Sequence, residues 1–393
     1  MGIYEDAVEN KELLVEIRRH LHRHPEPGMK EFETAAYIRK RLDEWGIPWI
    51  PAGETGTAAV IIGRAEKPVL GLRGDIDALE MDELNENSYK SCNPGLMHAC
   101  GHDGHTASLL AAARYLYERR ERIPGCVKCV FQPGEECGEG AASVVKSGAV
   151  NDVQAFFALH VMSSIPIGQV SIREGYMSSA NDRFVIRITG KGCHGSTPQK
   201  GADALLAGAE LAHTLQTLVS RESSPLEPTV ITIGVLNSGT AFNILPENAY
   251  LEGSVRVLRE ERRYENREII RRMAKCVAEA YRCTAEVEFQ CTARAVYNDE
   301  KLTAIARKAA RTFLPDEAVM LQDENMGAED FGAFLDIAPV TYMNIGSGNE
   351  EKKTTAPHHH GLFDIDEDSL PICMAMYVTF TAEYFNCSLN ETD

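Results

Sequence analysis

The sequence predicts an α/β protein with a large domain built on a mixed, mostly parallel sheet and a small inserted ferredoxin-like domain. Three observations predict this class. The first part of the chain alternates helical and strand patterns, which is typical of a layered α/β domain. The middle follows the order βαββαβ. The last part returns to mixed helices and strands, so one domain interrupts the other.

The large domain begins with patterns of both kinds. Three stretches have helical periodicity: Glu5–His24, Glu33–Trp45 and Thr106–Arg120. Four short apolar runs are of strand type: Ala58–Ile62, Val69–Leu72, Val127–Phe131 and Ala155–Leu159. Polar side chains follow these strands, and ligands in such sheets bind beyond the carboxyl ends of the strands.

The middle of the chain predicts the inserted domain. Its strands are Arg183–Thr189, Thr229–Leu236, Ala249–Val257 and Ala285–Cys291, and its helices are Ala202–Leu218 and Glu260–Arg282. Placed in order, these elements give βαββαβ. We therefore expect a discontinuous domain of residues 1–178 plus 295–393, and an inserted domain of residues 179–294.

The composition of the chain limits which partners and which compartment we expect. The 58 acidic residues outnumber the 40 basic ones, giving a net charge of −18 that argues against nucleic acid or an anionic membrane as partner. No apolar run is long enough to span a bilayer. The eleven cysteines are odd in number and scattered, and the first residues lack a secretory signal, so we expect reduced thiols in the cytoplasm.

The segment Met97–His105 is the most informative stretch, because it holds three histidines, one cysteine and two glycines. Thiolate and imidazole ligands at this density suit a borderline divalent metal such as zinc. Cys100 could instead be a structural residue, a buried free cysteine beside a helix cap. The clustering of ligand-type residues around it favours metal binding. Cys100 and His102 are the first candidate ligands.

Further candidates follow later strands. Glu135 and Glu136 come after Val127–Phe131, where one carboxylate can bind a metal while the other faces a substrate as a base. His160 ends the next strand, and three consecutive histidines stand at 358–360, of which at most one or two can point at one site.

Asp75 and Asp77 follow the strand Val69–Leu72. Either aspartate could accept a hydrogen bond from the back of a metal-ligating imidazole, although ordinary turn chemistry also explains them.

These motifs resemble those of the M20 metallopeptidase family, in the amidohydrolase branch that includes N-acyl-amino-acid amidohydrolases, hippurate hydrolases and auxin-conjugate hydrolases. The resemblance runs along nearly the whole chain in the family's order. The segments that carry it are Arg73–Leu79, Met97–Ala107, Phe131–Glu136, Ala158–Val161, Gly190–Pro198, Phe242–Arg256, Gly327–Phe331 and His359–Glu367.

The resemblance implies a centre of two divalent metal ions per subunit, which could be zinc, manganese, cobalt or nickel. Its implied ligands are Cys100, His102, Glu136, His160 and His359, where His359 is chosen by counting four residues back from Phe363. The flanking His358 and His360 are not favoured. Glu135 is the implied general base, acting on a water shared by the two ions, and Asp77 supports the centre from behind.

In the inserted domain, the resemblance implies that His194 holds the scissile carbonyl oxygen, often across a dimer interface. Asn243 and Arg256 match lid positions that contact the substrate carboxylate or the oxyanion. The inserted domain is therefore expected to act as a lid and to form a homodimer or homotetramer.

The expected reaction is metal-dependent hydrolysis of the amide bond of an N-acyl-L-amino acid, as in an aminoacylase. One alternative is a dipeptidase or aminopeptidase of the same family, against which Cys100 weighs because that branch usually has a bridging aspartate. A non-catalytic metal-binding protein is the other alternative, but it would have no need of Glu135.

Overall fold

A computed structural model describes residues 2–390 of the chain and divides it into two compact units. Unit 1 comprises Met1–Met177, Val296–Glu324 and Asp330–Asp393, and unit 2 comprises Ser178–Ala295 and Asn325–Glu329. The segment Asn325–Glu329 was expected in the discontinuous domain but belongs to unit 2. It joins unit 2 because the amide of Ser179 donates a hydrogen bond of 2.7 Å to the carbonyl of Gly327.

In chain order, the α-helices are α1 (Ile3–Glu9), α2 (Lys11–Arg23), α3 (Phe32–Glu44), α4 (His102–Glu118), α5 (Gly140–Ser147), α6 (Ala204–Thr214), α7 (Glu260–Ala280), α8 (Glu300–Ala310) and α9 (Ser369–Phe385). In the part of the chain that the structure describes, none of these helices combines the length and apolar content that crossing a bilayer requires.

The strands alternate with these helices along the chain. They are β1 (Trp49–Pro51), β2 (Thr57–Ile62), β3 (Val69–Asp75), β4 (Cys126–Gln132), β5 (Ala155–Pro166), β6 (Val170–Ile172), β7 (Gly175–Tyr176), β8 (Ala180–Thr189), β9 (Cys193–His194), β10 (Thr229–Ser238), β11 (Ile244–Leu245), β12 (Asn248–Val257), β13 (Thr284–Ala293), β14 (Tyr297–Asn298), β15 (Val319–Leu321) and β16 (Val340–Gly348).

The sheet of unit 1 has the strand order β1-β2-β4-β3-β5-β16-β14-β7. Its centre is parallel, since β3 pairs in parallel with β4 and β5, and β5 pairs in parallel with β16. The carboxyl ends of these neighbouring strands therefore meet at one edge of the sheet. The chemistry-bearing residues that follow β3 and β4 in the sequence are brought together at that edge.

Unit 1 buries side chains on both faces of this sheet. Along β5, Phe157 and Leu159 join one apolar cluster, while Phe156 and Ala158 join the other. The strict alternation follows from the two-residue period of a strand. Two buried faces also explain why the central strands are nearly continuous apolar runs in the sequence.

Unit 2 holds a four-stranded antiparallel sheet of order β10-β12-β8-β13, with α6 and α7 on one face. The first strand of the βαββαβ series, β8, lies between β12 and β13. This order is that of the ferredoxin-like motif. The predicted fold class, a mainly parallel sheet with a separate antiparallel domain, is confirmed.

Several predicted helices have different bounds in the structure; for example, the predicted Ala202–Leu218 is α6, which ends at Thr214. The pattern over Glu5–His24 is interrupted at Asn10, whose side chain donates a hydrogen bond of 2.8 Å to the carbonyl of Asp6 and separates α1 from α2. Helix α4 begins at His102, four residues before the predicted start at Thr106. His102 therefore lies in the first helical turn, where its backbone is fixed.

We expect Gly71→Ala to destabilise unit 1, because a Cβ at this position of β3 would lie 2.3 Å from the ring of Phe156. Overpacking of a closed core of this kind costs about 1–3 kcal/mol. Gly234→Ala is the matched control, since a Cβ there meets no atom within 4 Å. Urea denaturation should show a lowered midpoint for the first variant only, and equal midpoints would contradict this packing.

Candidate metal centre

A glycine turn presents Cys100 and His102 from the start of α4. Gly101, between them, has a φ of 88°, which is in the left-handed region that favours glycine. A Cβ at Gly101 would also lie 2.4 Å from Cγ2 of Val161. The glycine therefore allows the two candidate ligands to approach the end of β5 closely.

A second turn presents Glu135 and Glu136 beyond β4. Gly134 has a φ of 56°, and its amide donates a hydrogen bond of 2.7 Å to the buried carboxylate of Glu31. The other oxygen of Glu31 accepts a hydrogen bond of 2.5 Å from Thr55. Glu31 is not among the site residues predicted from the sequence, although it anchors the loop that carries Glu135 and Glu136.

The candidate ligands form overlapping groups, in each of which the donor atoms lie within 4.8 Å of one another. Two groups share the thiol of Cys100, and another holds the adjacent glutamates. These groups are Cys100–His160–His358, Cys100–Glu136–His359 and His102–Glu135–Glu136. The structure thus brings the five expected ligands and the expected base into one centre of unit 1.

Buried lone pairs in this centre suit a cation. Nε2 of His102 and Oε1 of Glu136 are buried without a well-formed hydrogen bond to any described residue. They lie 3.9 Å apart, and Nε2 of His359 lies 3.2 Å from the same oxygen. Nitrogen, oxygen and sulfur donors that converge in this way are a suitable ligand set for zinc and related divalent metals.

His105 completes another group of potential donors with His102 and His160, but both of its nitrogens are in use. Its Nδ1 lies 2.6 Å from Oδ1 of Asp75, and its Nε2 accepts a hydrogen bond of 2.9 Å from the amide of Val161. A neutral imidazole has one donor and one acceptor nitrogen, so His105 has no lone pair left for a metal.

Asp77 supports the centre from behind. Its Oδ1 lies 3.1 Å from Nδ1 of His102, and its Oδ2 accepts a hydrogen bond of 2.9 Å from the amide of Glu136. Asp75, the other aspartate that the sequence left open, pairs with Arg73 and His105, and its Oδ2 lies 3.8 Å from Nε2 of His102. A proton on Nδ1 of His102 leaves Nε2 free to bind a metal.

Burial and charge set the protonation states of the donors. Burial raises the pKa of the Cys100 thiol well above its ordinary value, and the charge of Glu136 raises it further. A bound cation reverses this preference, because a coordinating thiol is deprotonated. Burial lowers the pKa of His160 well below its ordinary value, which keeps the imidazole neutral as metal binding requires.

A buried arginine joins two ligand-bearing segments. Nε of Arg18 donates a hydrogen bond of 2.7 Å to Asp103, the residue after His102, and Nη2 donates one of 2.6 Å to Asp364. Asp364 follows the three consecutive histidines in the sequence. Arg18 and His22 hold the pKa of Asp103 well below its usual range, although burial acts in the opposite direction. Neither Arg18 nor His22 is among the site residues predicted from the sequence, although the two stand four residues apart on α2.

The other expected site residues belong to unit 2. His194 lies on β9, opposite Ile244 of β11, and its Nδ1 accepts a hydrogen bond of 3.1 Å from the amide of Ser196. Asn243 is exposed, and its backbone carbonyl accepts a hydrogen bond of 2.8 Å from the backbone amide of Gly195. Arg256, on β12, donates a hydrogen bond of 2.9 Å to the carbonyl of Met326.

Known proteins resemble the chain over most of its length. A model of peptidase family M20/M25/M40 matches residues 71–383. An N-acetyl-L-cysteine deacetylase of Bacillus subtilis is 36% identical over 358 residues, covering 91% of this chain and 84% of that protein. The IAA-amino acid hydrolase ILR1-like 4 of Arabidopsis thaliana is 35% identical over 376 residues, covering 94% and 85%. The family resemblance found in the sequence is confirmed.

A solved structure shows the same fold. It is the YXEP protein of Bacillus subtilis, described as a dinuclear metal-binding peptidase of the M20 family. The two chains are 31% identical, with a TM-score of 0.83, and the match covers 96% of this chain and 99% of the other. A metal-binding relative of this similarity supports the donor set described above.

We expect Arg18→Met to weaken both folding and metal binding, because it removes the buried guanidinium that pairs with Asp103 and Asp364. Breaking a buried ion pair by removing one partner costs about 3–5 kcal/mol. Arg19→Met is the matched control: Arg19 pairs with Glu367 near the surface, where such a pair contributes about 0–1 kcal/mol.

Urea denaturation of the chelated proteins and competition with a chromophoric chelator measure the two effects. Equal losses of stability in the two variants would contradict the role given to Arg18.

Proposed function

The chain belongs to peptidase family M20/M25/M40 and is a metal-dependent amidohydrolase; within this class, we propose that it hydrolyses N-acyl-L-amino acids. The products would be a carboxylic acid and a free amino acid. The observation that carries the proposal is the convergence of Cys100, His102 and Glu136 with a further carboxylate, Glu135, beside them. The deacetylase and amino acid hydrolase relatives support the substrate class.

We propose that Cys100, His102, Glu136, His160 and His359 hold two divalent ions, which could be zinc, manganese, cobalt or nickel. Ions bound there would supply Lewis acidity, which lowers the pKa of water and polarises an amide carbonyl. Cys100 is the one thiol among these proposed ligands. Its soft thiolate disfavours magnesium.

Glu135 is the proposed general base. A carboxylate oxygen of Glu135 lies within 4.8 Å of donor atoms of His102 and Glu136, so its charge is next to the centre. In the proposed reaction it accepts a proton from the attacking water and returns it to the amine that leaves. Glu136, its neighbour, is turned to the ligand cluster by the hydrogen bond between its amide and Asp77.

His194 is the proposed donor to the substrate carbonyl oxygen. Because Nδ1 of His194 accepts a hydrogen bond from the amide of Ser196, a neutral ring carries its proton on Nε2. This tautomer presents an N–H group that can stabilise an oxyanion. Asn243 and Arg256 are proposed to contact the substrate carboxylate or the oxyanion.

We further propose that unit 2 acts as a lid and forms a homodimer or homotetramer. Its strand β10 lies at the edge of the sheet, and Phe242 and Leu226 are fully or largely exposed. Light scattering of the purified protein tests the oligomeric state. We also place the enzyme in the cytoplasm, since all eleven cysteines are free thiols and would suit a reducing compartment.

We expect Glu135→Gln to retain its metal and to lose activity by about 10²–10⁴-fold, the usual contribution of a general acid–base group. The matched control is Glu139→Gln, which changes an exposed glutamate of the same loop that belongs to none of the donor groups among residues 2–390. Turnover and metal content are measured on the same preparations. Near-normal turnover in Glu135→Gln would refute its role as base.

Metal removal and substrate choice form a further test. After chelation, we expect hydrolysis of N-acetyl and N-benzoyl amino acids to stop, and to return when zinc, manganese, cobalt or nickel is added. Dipeptides with a free amino group are included in the same panel, because one relative is described as a peptidase. Faster cleavage of dipeptides than of any N-acyl amino acid would favour the peptidase alternative. Metal binding without any hydrolysis would favour a non-catalytic protein.

A further inference from the structure

His358 adjoins the expected ligand His359 and also faces the centre. Its Nδ1 lies 3.5 Å from Sγ of Cys100, and Nε2 of His160 lies 3.4 Å from the same sulfur. His359 has a φ of 60° and approaches Glu136, so the two neighbouring histidines contact different members of the centre. The sequence does not favour His358 as a ligand, and it does not predict this contact.

The hydrogen bond at the other ring nitrogen of His358, Nε2, indicates whether Nδ1 is a donor or an acceptor. The amide of Ser163 donates a hydrogen bond of 3.4 Å to Nε2. In a neutral ring with an accepting Nε2, the proton lies on Nδ1. The nitrogen that faces Cys100 is therefore a donor and offers no lone pair to a metal ion.

The ring is held in this orientation by its neighbours. The centroids of the His358 and Phe363 rings are 4.7 Å apart, and those of His358 and His160 are 5.2 Å apart. The amide of His359 donates a hydrogen bond of 2.9 Å to the carbonyl of Ala99, which fixes the segment against the residue before Cys100. Nδ1 thus stays within reach of the sulfur without further rearrangement.

We propose that His358 is a positioning residue that donates a hydrogen bond from Nδ1 to the Cys100 thiolate, and that it is not a metal ligand. A hydrogen bond to the thiolate stabilises its anionic form and draws electron density from the sulfur. The sulfur would then donate less charge to a bound ion, which would keep more of its Lewis acidity. This inference rests on the proposed function, because it requires Cys100 to be a ligand.

The test compares two amides that imitate different edges of the imidazole ring. His358→Asn places an N–H group near the position of Nδ1, whereas His358→Gln places its amide near the position of Nε2 and leaves Cys100 without the donor. His360→Gln is the matched control, because His360 is exposed, accepts a hydrogen bond from the amide of Leu362, and is in no donor group of the described residues.

The readouts are the number of cobalt ions bound and the thiolate-to-cobalt charge-transfer band. We expect all three variants to bind as many ions as the wild type. In His358→Gln the band should move to lower energy and kcat should fall about 10-fold, as is usual when a supporting partner of a ligand is removed. The band and most of kcat should be restored in His358→Asn and unchanged in His360→Gln.

Two results would overturn the inference. Loss of one bound ion in both His358 variants would show that His358 is a ligand, and an unmoved band in His358→Gln would show that no such hydrogen bond acts on the thiolate. A separate result concerns the proposed function. If the wild type lacks a thiolate band that Cys100→Ser would remove, then Cys100 is not a ligand and the centre itself is wrongly assigned.

Discussion

The centre depends on one carboxylate, that of Asp77. Its two oxygens engage Nδ1 of His102 and the amide of Glu136, which belong to segments far apart in the sequence. Together with the backbone carbonyl of Asp77, 3.0 Å from the same nitrogen, this carboxylate fixes the tautomer of His102, and it also holds the backbone of Glu136. Asp77 can reach the amide of Glu136 because β3 and β4, which precede these two residues, end side by side at the same edge of the sheet.

Buried charge around the centre is balanced by specific partners. Arg18 engages Asp103 and Asp364, and Arg73 engages Asp75 and Asp330. Burying these charged groups costs desolvation free energy, so the ion pairs contribute little to net stability. Their main effect is to fix the positions of the segments that carry ligands. The helix α2 contributes no ligand to the centre among the described residues, yet it carries Arg18 and so sets the positions of those that do.

Much of this arrangement could be predicted from the sequence, for a physical reason. Strand ends followed by Cys, His and Glu are local patterns that the sequence shows directly. A parallel sheet brings such ends to one edge, independently of the conformation of the connecting loops. Contacts between distant segments leave no local signal: the anchor supplied by Glu31 and the break at Asn10 depend on side-chain hydrogen bonds that periodicity does not encode. The choice between Asp75 and Asp77, and the contact of His358 with Cys100, likewise depend on tertiary geometry.

The interruption of unit 1 by unit 2 has a consequence for how the protein is made. Strand β16 pairs with β5, and the segment that carries His358 and His359 follows β16, so both emerge from the ribosome after most of unit 2. Unit 2, apart from Asn325–Glu329, can form its own core while the parallel sheet still lacks a central strand. The nascent chain therefore carries an incomplete metal centre, and its last donors arrive only near the end of translation.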